Sequence, residues 1–127
     1  IVVVILAILA TIAIPSYRQY VLRSHRVEAT TALMQLAAAQ EKFYLQNDTY
    51  TDDLSAPPAG LGLSADADVW VTENGWYEVA VTAADDAAYS ATATIADGSS
   101  QEADSDCVTF TVTSTGAKTA TNDKCWD

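Results

Sequence analysis

The chain has few of the residues on which most enzyme and metal sites depend. Its 127 residues include one histidine and two cysteines. A lone histidine among arginines suggests no nucleophile–base arrangement and no metal cluster. There is no glycine-rich phosphate loop, and the acidic residues lack the spacing of an EF-hand. We therefore expect a protein that is not an enzyme and that holds no cofactor and no metal ion.

Positive charge is also scarce. Lysine and arginine total 6 against 17 aspartates and glutamates, which gives a formal net charge of −11. Beyond Leu45 only Lys118 and Lys124 oppose a long series of acids, whereas the front of the chain is mildly basic. An acidic globular part repels phosphates, so we expect no nucleic-acid binding by that part.

The cysteines are too few for a zinc site but sufficient for one disulfide. Cys107 and Cys125 bracket a stretch rich in Thr, Gly and Asn, with no further ligand nearby. We predict a disulfide and an oxidising compartment, with two free thiols as the alternative. A second signal favours the opposite side of the membrane. The positive-inside rule would place the basic flank after the apolar N-terminal run in the cytoplasm, because this flank contains Arg18, Arg23 and Arg26.

The chain opens on a long apolar run. Ile1 to Ile14 is apolar at every position except Thr11. As a helix it would extend roughly 21 Å, short of a hydrocarbon core of roughly 30 Å. We expect that the natural N-terminus lies before Ile1 and that residues 1–16 form a membrane or filament-core segment. A buried core helix is the alternative. The large apolar residues are Ile1, Val2, Val3, Val4, Ile5, Leu6, Ile8, Leu9, Ile12 and Ile14.

Pro15 interrupts this run. Its ring removes one backbone donor and crowds the carbonyl of Thr11, which predicts a kink or a melted stretch near Ala7 to Pro15. Inside lipid such a break is costly unless neighbouring chains cover the freed backbone groups. The break therefore hints at packing among copies.

The rest of the chain changes period from helix to strand. Three- and four-residue steps and many alanines predict a helix over 17–46, followed by a loop over 47–68. From Val69 onward apolar and polar residues alternate, and Asn74-Gly75 signals a hairpin. We predict an α+β fold over 17–127, in which a long protruding N-terminal helix packs against a small antiparallel sheet of about four strands, followed by the C-terminal disulfide loop over Cys107–Cys125.

The residues IAIPSYRQYVLRSHRVEA, from Ile12 to Ala29, resemble the front end of type IV pilins. Two later stretches agree with this resemblance. Gln40 to Tyr44 resembles the end of the pilin spine helix, and Cys107 to Trp126 resembles the disulfide-closed C-terminal region. Within this family the chain resembles the PilE-like pilins, a minor-pilin group, and a major subunit can share every one of these features.

The resemblance implies a structural subunit that enters the bacterial inner membrane and is then extracted into an extracellular helical filament. Its partners would be copies of itself, other pilins and a pilus assembly platform, in support of adhesion, twitching motility or DNA uptake. The family's processing site, methylated first residue and nearby glutamate would precede Ile1. Charged residues just beyond the core are candidates for pairs between subunits, with plain solvated charges as the alternative: Arg18, Arg23, Arg26 and Glu28.

Two other functions remain open. A pseudopilin of a type II secretion system shares the apolar front and the spine helix, but a cysteine pair such as Cys107 and Cys125 is unusual among major pseudopilins. The second alternative is a solitary binding module on a membrane anchor, whose apolar sequence would tolerate scrambling.

Overall fold

The computed structural model describes residues 1–11 and 17–126 of the chain. One long helix, α1, extends over Val2–Asn47, and the predicted N-terminal helix is confirmed. The helix ends at Asp48, which adopts left-handed angles (φ 57°, ψ 24°) and donates its N–H to the carbonyl of Tyr44 at 2.8 Å. Aspartate is one of the few residues besides glycine that visit this conformation. The predicted break at Pro15 falls in 12–16, outside the described residues.

A five-stranded antiparallel sheet follows the helix, in the order β1-β2-β3-β4-β5. Each strand pairs antiparallel with its neighbour in sequence, so the predicted antiparallel sheet is confirmed. The strands are β1 Trp70–Val71, β2 Tyr77–Ala84, β3 Tyr89–Ile95, β4 Thr109–Thr113 and β5 Lys118–Ala120. Two short 3-10 helices, η1 (Ser100–Ala103) and η2 (Asp123–Trp126), flank β4 and β5.

The sheet has one strand more than the sequence indicates. β5 is 3 residues long and lies inside the segment predicted to be only a disulfide loop. Its residues, Lys118 to Ala120, show no apolar alternation, so pairing with β4 defines this strand.

The core lies between α1 and one face of the sheet. In β3 every second residue is buried, from Tyr89 to Ile95, and the residues between them are half-buried. The helix contributes a face of small and aliphatic residues at three- and four-residue spacing. These buried helix residues are Ala29, Ala32, Leu33 and Leu36. Because two of them are alanines, the backbone of α1 can approach the sheet closely.

The outer face of α1 carries apolar residues that the sheet does not cover. Tyr17, Tyr20 and Val27 fit the helical pattern of the sequence, yet each has more than 60% of its surface exposed, at 67%, 65% and 62% respectively. The sheet covers only one side of the helix, and full burial begins at Ala29.

The loop from α1 to β1 is fastened to the end of the helix by a buried glutamine. Gln40 is fully buried, and its Nε2 donates to the carbonyl of Thr51 at 2.7 Å. Its Oε1 accepts the N–H of Thr51 at 3.2 Å. Leu54, also fully buried, anchors the next part of the loop in the core.

Candidate assembly surface

The first part of α1 exposes an apolar surface that no other part of the chain covers among the described residues. Its large side chains are exposed by 52% at Ile5 and by up to 98% at Ile1. Folded monomers rarely expose a contiguous apolar surface of this kind unless another body covers it. The exposed residues are Ile1, Val2, Val3, Val4, Ile5, Leu6, Ile8 and Leu9.

The remaining residues predicted for the filament core, Ile12 and Ile14, lie outside the described residues, as does Pro15. Among the residues that the structure describes, no helix is long and apolar enough to cross a membrane.

The arginines that follow the apolar segment occupy two different environments. Arg18 and Arg23 are exposed. Arg26 forms a bidentate ion pair with Asp104, with Nε to Oδ2 at 2.7 Å and Nη2 to Oδ1 at 2.6 Å. The side chains of this pair are 14% and 3% exposed, which makes it a largely desolvated pair. Arg26, a candidate for pairing between subunits, therefore has a partner within its own chain.

A buried glutamine extends this pair into a polar cluster. Gln101 of η1 donates from Nε2 to the carbonyl of Leu22 at 2.9 Å and to Oδ2 of Asp104 at 3.2 Å. Its Oε1 lies 2.9 Å from Nδ1 of His25. These contacts tie η1 and the residue after it to α1. We call the cluster the clamp, and it consists of His25, Arg26, Gln101 and Asp104.

The surroundings of the clamp fix the charge states of two groups. Hydrogen bonding to Asp104 raises the pKa of Arg26, which keeps the guanidinium charged. Burial, reinforced by the charge of Asp104, raises the pKa of Tyr77 to about 12. The hydroxyl of Tyr77 has no hydrogen-bond partner among the described residues. The site therefore favours a cationic arginine beside a neutral tyrosine.

Glu28 fastens the turn between β1 and β2 to the helix. Its Oε2 accepts the hydroxyl of Thr72 at 2.9 Å. Its Oε1 accepts the backbone N–H of Asn74 at 3.0 Å and the side-chain amide at 2.8 Å. Glu28, like Arg26, is thus engaged within the chain, which leaves Arg18 and Arg23 as the more accessible members of the predicted charged set.

The predicted disulfide between Cys107 and Cys125 is confirmed, with the two Cα atoms 5.7 Å apart. Both residues are buried at the edge of the core. The segment that they close is ordered secondary structure, since it contains β4, β5 and most of η2. Trp126 follows the second cysteine, and its indole N–H donates to the carbonyl of Thr119 in β5 at 2.7 Å.

Within the part of the chain that the structure describes, no group of three or more His, Cys, Asp or Glu side chains is arranged to hold a metal ion. The clamp and the Glu28 contacts both join elements of the fold.

Gln101 and Asp104 are the contributors to the clamp that sequence reasoning misses. They lie between β3 and β4, and Asp104 is separated from Arg26 by 78 positions. One signal was available. Arg26 precedes Ala29 and Leu33 at three- and four-residue spacing, so it lies on the buried face of α1, where an arginine needs an acidic partner.

Comparison with known proteins gives two similarities. Residues 15–111 match the family model described as type IV minor pilin ComP, DNA uptake sequence receptor. A stretch of 52 residues is 46% identical to the type IV major pilin protein PilA of Myxococcus xanthus (strain DK1622). That stretch covers 41% of this chain and 24% of the PilA protein, so the match spans about a quarter of the relative's length. The family match ends within β4, before β5 and Cys125.

Proposed function

Because the chain belongs to the type IV pilin family, we propose that it is a structural subunit of a type IV pilus filament that polymerises through the apolar end of α1. The observation that carries this proposal is the row of exposed apolar side chains from Ile1 to Leu9, on a chain whose sheet has its own complete core. Burying one such side chain away from water contributes about 1.5 to 3 kcal/mol. An end of this kind requires an apolar surrounding, and neighbouring copies supply one.

Before assembly, the bacterial inner membrane supplies that surrounding. The acidic sheet domain then lies outside the cytoplasm, where Cys107 and Cys125 can remain oxidised. Lipid is as apolar as the filament interior, so transfer between the two yields little free energy. Extraction into an extracellular filament therefore needs work from a pilus assembly platform, and this subunit contributes only the surfaces.

The match to a family described as a DNA uptake sequence receptor suggests one specialised role, in which the pilus takes up DNA. The net charge of −11 argues against DNA binding by the sheet domain itself. Adhesion and twitching motility are the other roles that a filament of this subunit would support. A DNA-binding titration at two salt concentrations separates them. DNA binding that weakens as salt rises supports a role in DNA uptake. If the chain does not bind DNA, adhesion and twitching motility are the roles that are left.

A pseudopilin of a type II secretion system is the alternative that shares the long helix. The disulfide between Cys107 and Cys125 supports the pilin instead, because it closes the C-terminal region in the way that the resemblance implies. Deletion of the gene separates the two functions. Loss of surface filaments supports the pilin, whereas retained filaments with a loss of protein secretion support the pseudopilin.

Electron microscopy of sheared filaments, with mass spectrometry of their subunits, tests the proposal directly. We expect this chain in the filaments, and its absence from every filament would overturn the proposal. A variant of the apolar segment tests the role of this end of α1. Replacing Ile1 to Ile14 by a generic leucine anchor should keep the chain in the membrane and abolish its incorporation. Normal filaments from this variant would refute assembly through the native segment.

A further inference from the structure

An open groove of about 560 Å³ lies between α1 and the edge strand β1. Val27 and Val71 stand on its two walls and remain 62% and 49% exposed. The charged side chains that line it are both acidic, Glu28 and Glu73. Glu28 is engaged by the turn between β1 and β2. Glu73 is exposed and takes part in no ion pair among the described residues. The groove therefore presents two exposed valines within a mixed polar and apolar lining, together with one available anion.

A complementary surface lies on the same helix before the groove. Tyr17, Tyr20 and Arg23 follow one another at intervals of three, so each neighbours the next on the surface of α1. All three are exposed, and Arg23 takes part in no ion pair within the described part of the chain. We call these three residues the Tyr–Arg stripe. It presents two aromatic rings and one available cation.

The stripe cannot reach the groove of its own chain, because both lie on one rigid helix and the stripe precedes the groove along it. The occupant must therefore come from another molecule. The groove repels acidic segments, and beyond Leu45 this chain has only two lysines. The basic and aromatic start of α1 is the part of the chain that suits a groove with exposed valines and an acidic side chain.

We propose that the groove of one copy receives the Tyr–Arg stripe of a second copy, with Arg23 of one copy against Glu73 of the next. The inference rests on the proposed function, since assembly brings copies of α1 side by side. Tyr17 and Tyr20 then cover Val27 and Val71, in the way that an amphipathic helix lies in an apolar groove. The charge pair fixes the register along the helix.

The positions of the two surfaces explain why such a contact repeats. Tyr20 is the centre of the stripe, and the helix side of the groove extends from Ser24 to Gln35. For parallel helices the offset between the two centres is roughly 14 Å at 1.5 Å per residue. The stripe and the groove are different surfaces, so the contact is heterologous. Repeated with a shift along the axis, it yields an open filament, whereas a closed dimer needs a self-complementary surface.

Charge reversal in cells that make filaments tests the contact. We expect Arg23→Glu and Glu73→Arg each to reduce the amount of this chain in sheared filaments at least tenfold, because attraction becomes repulsion at every repeat. The double variant Arg23→Glu/Glu73→Arg restores the pair and should return incorporation to within about twofold of the wild type. Lys42→Glu and Asp86→Arg are the matched controls, since both residues are exposed and lie away from the groove.

The outcomes separate this inference from the function on which it rests. If the wild-type chain never enters filaments, the proposed function fails. If the wild type and both single reversals enter equally, or if the double variant is not rescued, the groove contact fails while the function stands. If the charge-reversed chains do not accumulate in the cell, the double variant Tyr20→Cys/Val71→Cys tests the groove contact instead. Disulfide-linked multimers in sheared filaments support the contact, and their absence overturns it.

Discussion

Replacing Asp104 by alanine should destabilise the chain more than replacing any exposed acid. The carboxylate is 3% exposed and accepts three hydrogen bonds, two from Arg26 and one from Gln101. Its removal leaves a guanidinium whose side chain is 14% exposed without its ion-pair partner. Removing one partner of a buried ion pair lowers the free energy of unfolding by about 3 to 5 kcal/mol. The residual exposure of Arg26 to water places the expected loss near the lower value.

The double variant Arg26→Met/Asp104→Ala separates the unpaired charge from the lost packing. Methionine retains much of the aliphatic volume of arginine and removes the cation. We expect this variant to recover roughly 2 kcal/mol relative to Asp104→Ala, because apolar replacement of a whole buried pair is often neutral or better. Asp86→Ala is the control for an exposed aspartate and should change the free energy of unfolding by less than about 0.5 kcal/mol.

Thermal unfolding of the full chain in mild detergent measures these differences. Trp76 stacks on His25 with ring centroids 3.4 Å apart, so near-UV circular dichroism of this indole reports on the clamp. A loss of 3 kcal/mol corresponds to a decrease of roughly 10 °C in Tm for a chain of this size. A loss below about 1 kcal/mol for Asp104→Ala would refute the reasoning. So would a double variant that is no more stable than the single one.

Three further predictions concern the core around the clamp. Tyr77→Phe should leave the free energy of unfolding at pH 8 unchanged or raise it by up to about 1 kcal/mol, because the hydroxyl is buried with no hydrogen-bond partner in the part of the chain that the structure describes. Since the pKa of Tyr77 in the folded chain is about 12, above its ordinary value of 10.0, the wild type should lose stability between those pH values, and the variant should lose less in denaturant titrations. Replacing Cys107 and Cys125 by serine should cost about 3 kcal/mol in urea unfolding, through greater freedom of the unfolded chain. Leu33→Ala should cost about 2 to 5 kcal/mol by the same measurement, because the side chain is fully buried.

Each of these predictions has a result that contradicts it. Equal alkaline destabilisation of the wild type and Tyr77→Phe would mean that the pKa of this hydroxyl is not raised. Unchanged urea midpoints for the serine variant under oxidising conditions would mean that the disulfide does not constrain the unfolded chain. For the core, Met34→Ala is the control, because Met34 lies on the same helix and is 39% exposed. If Met34→Ala lowered the free energy of unfolding as much as Leu33→Ala, burial would not be the cause of the effect.

The helix and the central strands were predictable because local pattern and tertiary environment agree there. Alternation along β3, from Tyr89 to Ile95, matches its burial residue by residue. β5 could not be predicted in the same way. Lys118 to Ala120 is short and polar, and only its pairing with β4 makes it a strand. The core face of α1 was equally hard to find, since Ala29 and Ala32 are buried while the larger Val27 is exposed.

One part of the candidate site could likewise be predicted from the sequence, and another part could not. The long apolar run alone indicates the exposed end, and among the described residues Ile1 to Leu9 remain uncovered. The clamp depends on a contact across 78 positions, and no local pattern indicates which acid meets Arg26. Glu28 illustrates a second difficulty. An acid just beyond the apolar segment is a candidate for pairing with another subunit, yet a hairpin turn of the same chain, at Asn74, engages Glu28.

The attachment of the sheet to α1 also determines how the subunit would bear mechanical load. The clamp at Arg26, the Glu28 contacts, Leu33 and the Gln40 contacts with Thr51 are spread along the helix. A pull along the helix axis therefore strains these attachments simultaneously, in shear, whereas peeling the sheet away would break them one after another. Tension applied to a filament through its helices would thus be divided among ionic, polar and apolar contacts in every subunit.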